Sequence, residues 1–316
     1  MGNPNILNRI DKYLQELFPI NRSLTGSGNL ITLKKIKESI KNLKFKNVKS
    51  GTQVFDWIVP PEWSVQEAFL LNSKGEKIID WKNNNLHLLN YSQSFQGELS
   101  KKDLMEHIFT IPSKPDWIPY RTSYYKKQWG FCVQHNLIES SKFSEPFQVS
   151  IKTRHDINGS LVYGEALKSG KSKQEIIIST YLCHPSMAND NLSGLLTASF
   201  LFEYINKLET NFSYRLLIVP ETIGTICFLA NCKKENIIGG TIVTNTAGPG
   251  KLSVKESFDS NSWINEISHM AISDYTKGDY ITYPFIPDGS DERQYSSPGF
   301  RINTPSFHKC KYHEFD

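Results

Sequence analysis

The residues with the clearest chemical potential follow an apolar run at residues 175–181. His184 and Asp190 stand between that run and an apolar helical pattern that begins near residue 194. A β-branched run followed by a polar loop and a helix predicts a strand that delivers both side chains to the carboxyl end of a sheet, where open α/β sheets bind ligands. An imidazole and a carboxylate are ordinary ligands of a divalent metal ion.

Two further apolar runs end in polar residues. Residues 214–220 lead to Glu221, and residues 240–246 contain Asn245 near their end. Neighbouring parallel strands present their carboxyl ends side by side, so these side chains and those of His184 and Asp190 are expected to share one crevice. A carboxylate next to a metal-bound water is the usual general base, and Glu221 is the candidate for that role.

Each of these residues also has a structural interpretation. His184 could be a hydrogen-bonded core residue, Asp190 could cap the following helix, and Glu221 could favour the dipole of the helix after it. Cys183 could be a nucleophile or a thiolate ligand, but we favour a small residue that closes a buried strand. The convergence of several strand ends weighs more than any one residue.

The elements that must position these side chains alternate as strand and helix from residue 175 onward. Strands are predicted at 175–181, 214–220 and 240–246, and helices at 5–18, 29–43, 194–208, 223–233 and 261–275. The strands are almost continuously apolar, which is typical of a sheet covered by helices on both faces.

Between residues 52 and 167 the pattern changes to short alternating runs separated by turn signals, as in a small antiparallel sheet. Residues 147–156 and 159–167 are expected to pair as a hairpin across an Ile-Asn-Gly turn. We therefore predict an α/β three-layer sandwich with a mixed, mainly parallel sheet, plus a small inserted α+β domain. The sandwich would comprise residues 1–59 and 146–316, and the insert residues 60–145.

Composition narrows the class of protein. Of the 316 residues, 39% are hydrophobic and 22% charged, as in soluble globular proteins, and the net charge of +4 is spread without the basic face of a nucleic-acid binder. No segment has the apolar length of a membrane helix, and five cysteines without a CxxC pair do not suggest a disulfide framework. We expect a cytoplasmic protein with a small-molecule substrate and no nucleic-acid or membrane partner; the sequence is compatible with an oligomer.

The order His, Asp-Asn-x-Ser-Gly and Glu at successive strand ends resembles the zinc-dependent aminopeptidase and glutamate-carboxypeptidase superfamily. The resemblance implies that His184 binds zinc, that Asp190 is the aspartate that bridges two metal ions, and that Glu221 is the general base. The sequence departs from the family at Thr222 and Asn245, where the family has a glutamate and an aspartate ligand. Because these replacements remove about two negative charges, one zinc ion is expected rather than two.

Longer phrases, among them 18-FPINRSLTGSG-28, 181-YLCHPSMANDNLSG-194 and 289-GSDERQYSSPG-299, are similar to a bacterial aminopeptidase-like family associated with polysaccharide biosynthesis. That resemblance implies the zinc-peptidase fold with an inserted α+β domain. It also implies a last histidine ligand and a winged-helix domain near the C-terminus, so we expect the chain to be truncated there. His308 or His313 could replace the missing ligand.

The resemblance implies a metal-dependent hydrolase of the aminopeptidase type that cleaves an amide bond with a zinc-bound water. The alternative is a catalytically altered or inactive relative that binds or modifies a sugar-linked amide in cell-surface polysaccharide biosynthesis. The substrate would be a peptide or an amide-bearing sugar.

Two segments supply candidates for substrate binding. Arg121 and Tyr125 lie in an aromatic loop, and aromatic rings with a guanidinium group suit a sugar ring or a carboxylate, although the rings could instead pack the loop onto the core. Asp291 could line the crevice, or Ser290–Arg293 could form a capping box with an internal ion pair. The family resemblance favours the crevice for Asp291.

Overall fold

An eight-stranded mixed sheet is the largest element of the computed structural model, which describes residues 4–124 and 126–309. The helices are α1 (Pro4–Leu17), α2 (Ser27–Ile36), α3 (Lys101–Met105), α4 (His135–Glu139), α5 (Gly194–Ile205), α6 (Ile223–Leu229), α7 (Trp263–Thr276) and α8 (Glu292–Tyr295). The strands are β1 (Lys44–Lys49), β2 (Gln53–Val54), β3 (Trp57–Ile58), β4 (Glu62–Leu71), β5 (Lys77–Asp80), β6 (Phe95–Leu99), β7 (Ile108–Phe109), β8 (Phe131–Cys132), β9 (Phe147–Asp156), β10 (Ser160–Lys168), β11 (Glu175–Tyr181), β12 (Ser213–Val219), β13 (Ile237–Val243), β14 (Ser253–Lys255), β15 (Ile281–Tyr283) and β16 (Ser306–His308).

The large sheet has the strand order β1-β10-β12-β11-β13-β16-β14-β15. Its four central strands, from β12 to β16, run parallel, whereas β10 on one side and β14 with β15 on the other run antiparallel to them. The predicted α/β fold with a mixed, mainly parallel sheet is confirmed. β11, β12 and β13 are direct neighbours, as the argument for a shared crevice requires.

Helices cover both faces of this sheet. Leu216 and Ile218 of β12 pack in a core cluster with α1, α2 and α5, whereas the alternating residues Leu217 and Val219 pack with α6 and with Tyr295 of α8. Every second side chain of a strand points to the same face, so an apolar residue at nearly every position serves both clusters. The three layers follow from this composition.

The predicted helices are found, but two are shorter than predicted: α6 ends at Leu229 and not at residue 233, and α2 differs more. The pattern at 29–43 predicts a longer helix than α2, which ends at Ile36. Beyond that point the backbone changes to tighter turns, in which Ser39 N–H donates to the carbonyl oxygen of Ile36. None of the helices in the described part of the chain has the length and apolar character that a membrane span requires.

A second, antiparallel sheet has the order β5-β4-β9-β6. The hairpin predicted for 147–156 and 159–167 is wrong, although both strands exist as β9 and β10. Both edges of β9 are occupied by β4 and β6, and both edges of β10 by β1 and β12, so the turn between them carries the chain from one sheet to the other. The division into two domains stays a prediction, and we propose that the inserted unit extends to residue 156 because β9 belongs to its sheet.

His308 ends β16 in the interior of the large sheet. It is buried, with Nδ1 2.9 Å from Thr244 Oγ1 and Nε2 2.7 Å from Ser306 Oγ. Burial, together with the positive charge of Lys255, lowers the pKa of His308 to about 3. The folded protein therefore keeps this imidazole neutral at pH values where an unfolded chain would protonate it.

This buried histidine predicts a pH dependence of stability. Because the unfolded state binds one more proton below about pH 6.5, the free energy of unfolding should fall by about 1.4 kcal/mol between pH 7.5 and 5.5 through His308 alone. Urea unfolding of wild type and His308→Gln at both pH values measures this, since glutamine keeps hydrogen-bonding groups but does not titrate. An equal pH dependence in the two proteins would show that His308 is not held neutral.

Candidate functional site

The carboxyl ends of β11 and β12 bring three predicted side chains together. Nε2 of His184 lies 3.9 Å from Oδ2 of Asp190 and 3.8 Å from Oε2 of Glu221. His184 and Asp190 are buried, whereas the Glu221 side chain is 21% exposed and gives the group an open side. The convergence expected at the strand ends is found for these three side chains.

The spacing of these atoms suits a single divalent cation. Tetrahedral zinc with ligands at its usual bond lengths places the donor atoms about 3.4 Å apart. The separations of 3.8 and 3.9 Å are a few tenths of an ångström longer, which small side-chain movements would close. These two separations and the types of donor atom agree with zinc, and they make the group a partial site for such an ion.

Cys183 belongs to the same group of side chains. Ligand atoms of Cys183, His184 and Glu221 all lie within 4.8 Å of one another. However, Cys183 Sγ lies 3.5 Å from Nδ1 of His184, the ring nitrogen opposite to the one that faces the carboxylates. Burial, and then the charge of Glu221, raise the pKa of Cys183 well above its usual value, which favours the neutral thiol. The role favoured from the sequence, a small buried residue after a strand and not a ligand, stays a prediction.

Asp190 is held by the strand that precedes it. The hydroxyl of Tyr181 donates to Asp190 Oδ1 at 2.5 Å, and Nδ2 of Asn191 donates to the carbonyl oxygen of Tyr181 at 2.5 Å. α5 starts at Gly194 without a side-chain cap, so Asp190 does not cap it. A Cβ atom at Gly194 would lie 1.6 Å from the Thr244 carbonyl oxygen, so only glycine lets this helix start so close to the sheet.

Glu221 lies in the turn between β12 and α6. Burial raises its pKa well above the usual value, and the negative charges of Asp190 and Asp291 raise it further. A buried carboxylate among other carboxylates is unfavourable in its charged form. A divalent cation would offset that repulsion, so the electrostatics of the site favour a bound metal ion.

Two residues from other segments contact His184, and the sequence interpretation predicted neither contact. Arg22 Nε donates to the His184 carbonyl oxygen at 3.0 Å from a fully buried position, where burial lowers the pKa of Arg22 to about 10. The Tyr120 ring lies over the imidazole, with ring centroids 4.7 Å apart. Both belong to phrases that carried the family resemblance, but no local pattern indicates which distant residue they contact.

The other predicted residues are not all part of the group around His184. Arg121 is exposed, and its Nη1 donates to the Tyr120 carbonyl oxygen at 2.9 Å, which keeps it in the loop that reaches His184. Tyr125 and His313 lie outside the described residues. His308 is hydrogen-bonded within the large sheet, as described above, and is not in the group around His184.

Asp291 and Asn245 both accept hydrogen bonds from backbone groups. Asp291 Oδ1 accepts the Thr222 N–H at 2.6 Å, and burial raises the pKa of Asp291 to about 7. Asn245 Oδ1 accepts the Lys309 N–H at 3.0 Å, which joins the end of β13 to the residue after β16. The capping box considered for residues 290–293 does not form, because α8 has no side-chain cap and Glu292 pairs with Lys255 instead.

Comparisons with known proteins agree with this architecture. A family model described as domain of unknown function DUF4910 matches residues 11–316. A Clostridium acetobutylicum protein, whose name joins polysaccharide biosynthesis to an aminopeptidase-like domain, is 41% identical over 301 residues, which cover 95% of this chain and 68% of that protein. A crystal structure from the same organism, described as a peptidase, has a TM-score of 0.92 at 40% identity and covers 97% of this chain and 72% of its own. A zinc aminopeptidase from Bacillus subtilis has a TM-score of 0.66 at 11% identity, covers 98% of this chain and 85% of its own, and shows the likeness of fold alone.

The hydrogen bond between Tyr181 and Asp190 predicts a measurable loss of stability. Tyr181→Phe should lower the free energy of unfolding by about 1.5–3 kcal/mol, because a buried carboxylate loses its hydroxyl donor. Tyr295→Phe is the matched control: its buried hydroxyl donates to Ser179 Oγ at 3.0 Å, and a neutral pair is worth about 0.5–1.5 kcal/mol. Urea unfolding of both variants compares them, and equal losses would argue against a charged Asp190 acceptor.

Proposed function

Because the chain belongs to the family described as domain of unknown function DUF4910 and has an aminopeptidase-like fold, we propose that it is a metal-dependent hydrolase that cleaves an amide bond. The family resemblance drawn from the sequence motifs is confirmed by these matches. The observation that carries the proposal is that Asp190 and Glu221, which follow two neighbouring strands, each place a carboxylate oxygen within 4 Å of Nε2 of His184.

In this proposal His184 and Asp190 hold one zinc ion. When bound, zinc polarises a carbonyl group and lowers the pKa of a coordinated water. His184 can bind through Nε2, because its other ring nitrogen, Nδ1, contacts Cys183 Sγ. The hydrogen bond from Arg22 to the His184 carbonyl oxygen fixes the backbone of the histidine. Asp190 directs Oδ2 toward His184, while its other oxygen accepts a hydrogen bond from the Tyr181 hydroxyl. That bond fixes the orientation of the carboxylate.

A single ion suits the two positions at which the chain departs from the two-zinc enzymes. Asn245 Oδ1 is engaged by the Lys309 N–H, and Thr222 occupies the turn after Glu221. Neither side chain carries the negative charge that a second dication would need.

Glu221 is the proposed general base. Its side chain is 21% exposed, against 8% for His184 and 2% for Asp190, and a general base must lie within reach of the attacking water. It would take a proton from the attacking water and pass it to the nitrogen that leaves. The open side of the site also gives the water its way in.

The substrate would lie between the metal-binding atoms and the aromatic loop. Tyr120 contacts His184, and Arg121 follows it in the same loop. We propose that Arg121 and Tyr125 contact the substrate. Asp291 also stays a proposed substrate contact, although its carboxylate is buried. The name of the Clostridium relative makes an amide-bearing sugar a substrate to test beside peptides.

Removal of the base should separate catalysis from metal binding. Glu221→Gln should lower kcat by about 10²–10⁴-fold, because the amide cannot accept the proton, while zinc affinity stays near that of wild type. Turnover on dipeptides and N-acylated amino sugars and zinc titration provide the two readouts, with Glu235→Gln, on an exposed turn, as the control. Unchanged turnover would refute the role of base, and loss of zinc with turnover would make Glu221 a ligand instead.

Zinc should stabilise the folded protein through His184. At a zinc concentration about 100-fold above Kd, the free energy of unfolding should rise by about 2.7 kcal/mol over that in a chelator. His184→Ala should abolish this increment. His269→Ala, which removes an imidazole 2.9 Å from the Glu256 carboxylate at another place, should retain it. An equal increment in wild type and His184→Ala would place the zinc elsewhere.

A further inference from the structure

The turn that carries Glu221 has an unusual backbone. Thr222 has φ 61° and ψ −61°, and the Ile223 N–H donates to the Glu221 carbonyl oxygen at 2.8 Å. A hydrogen bond between residues two apart around such a centre defines a γ-turn with positive φ, a rare and strained form. A β-branched residue is especially unfavourable there, so neighbouring groups must hold it.

Side chains from two distant segments hold this turn by its successive N–H groups. The Thr222 N–H donates to Asp291 Oδ1 at 2.6 Å, and the Glu221 N–H donates to Cys183 Sγ at 3.3 Å. Asp291 is fully buried and Cys183 nearly so. The bond to the carboxyl oxygen is the shorter and the stronger of the two, because the sulfur of a thiol is only a weak acceptor.

Asp291 is itself held independently of the turn. It immediately precedes α8, where Glu292 Oε1 lies 2.5 Å from Lys255 Nζ of β14 and the Tyr295 hydroxyl donates to Ser179 of β11. These contacts fix α8 to the large sheet. The position of the Asp291 carboxylate therefore does not depend on the turn that it restrains.

We propose that Asp291 is a positioning residue, which by accepting the Thr222 N–H keeps the strained turn in place and so directs the Glu221 carboxylate at His184. The inference rests on the proposed role of Glu221. It is an alternative to the substrate contact proposed for Asp291, because a fully buried carboxylate that holds a backbone turn should affect kcat and leave KM unchanged. If the turn relaxes to negative φ, the direction of the Glu221 side chain changes with it. A shift of about 1 Å in a reacting group is enough to cost about 10²-fold in rate.

Asp291→Ala tests the proposal first without any activity assay. Hydrogen–deuterium exchange of the peptide that covers residues 219–223 should become at least about tenfold faster, because the buried Thr222 N–H loses its acceptor. A crystal structure of the variant should show Thr222 at negative φ and Glu221 farther from His184. Asp288→Ala, at an exposed site on the same segment, is the control and should leave both unchanged. Unchanged exchange and an unchanged turn in Asp291→Ala would overturn the proposal.

Kinetics give the second test. Asp291→Ala should lower kcat by about 10²-fold, with KM and zinc affinity within about threefold of wild type. Adding Thr222→Gly should restore at least about tenfold of the lost kcat, because glycine adopts positive φ without strain and no longer needs the restraint. A wild-type kcat in Asp291→Ala, or no recovery in the double variant, would contradict the positioning role.

The two tests separate this inference from the proposed function. If neither the wild type nor any variant hydrolyses an amide, the proposed function fails. Hydrogen–deuterium exchange and the crystal structure still decide whether Asp291 holds the turn. If Asp291→Ala does not fold, Asp291→Asn replaces it with a neutral acceptor of the same shape. Exchange should then rise by about three- to tenfold, since a neutral bond is weaker, and an unchanged rate would overturn the proposal.

Discussion

The parallel pairing of β11 with β12 is the constraint on which the site depends. Tyr181 pairs with Val219 at the last position of both strands, so the chain leaves the sheet at the same level in each. His184 follows three residues after one end and Glu221 two residues after the other, and the loop back into α5 brings Asp190 beside them. A shift of this register would separate the imidazole from the carboxylate, whatever the residues in the loops.

Electrostatics explain why these buried groups are found together. Asp190, Glu221 and Asp291 lie close enough for the first and last to raise the pKa of Glu221, which is unfavourable for three charged carboxylates. Hydrogen bonds offset part of this repulsion: the Tyr181 hydroxyl donates to Asp190, and the Thr222 N–H donates to Asp291. A dication next to His184 would supply the remaining compensation, so binding and folding should support each other.

The sequence predicts the fold and the three central site residues for identifiable reasons. Apolar runs near residues 175, 214 and 240 indicate buried parallel strands, and the rule for parallel sheets then brings the residues after them together. Local patterns do not report long-range pairing, however. The predicted hairpin of β9 and β10 failed because each strand had better partners elsewhere. The contacts of Arg22 and Tyr120 with His184, and the bond from Thr222 to Asp291, were not predicted because they join segments far apart in the chain.

Anomalous diffraction at the zinc absorption edge, from a crystal grown with zinc, tests the central claim most directly. We expect a single peak at about 2.0–2.2 Å from both His184 Nε2 and an oxygen of Asp190, at the open side next to Glu221. A strong peak at another place, with none between these two side chains, would contradict a metal-dependent function for this site.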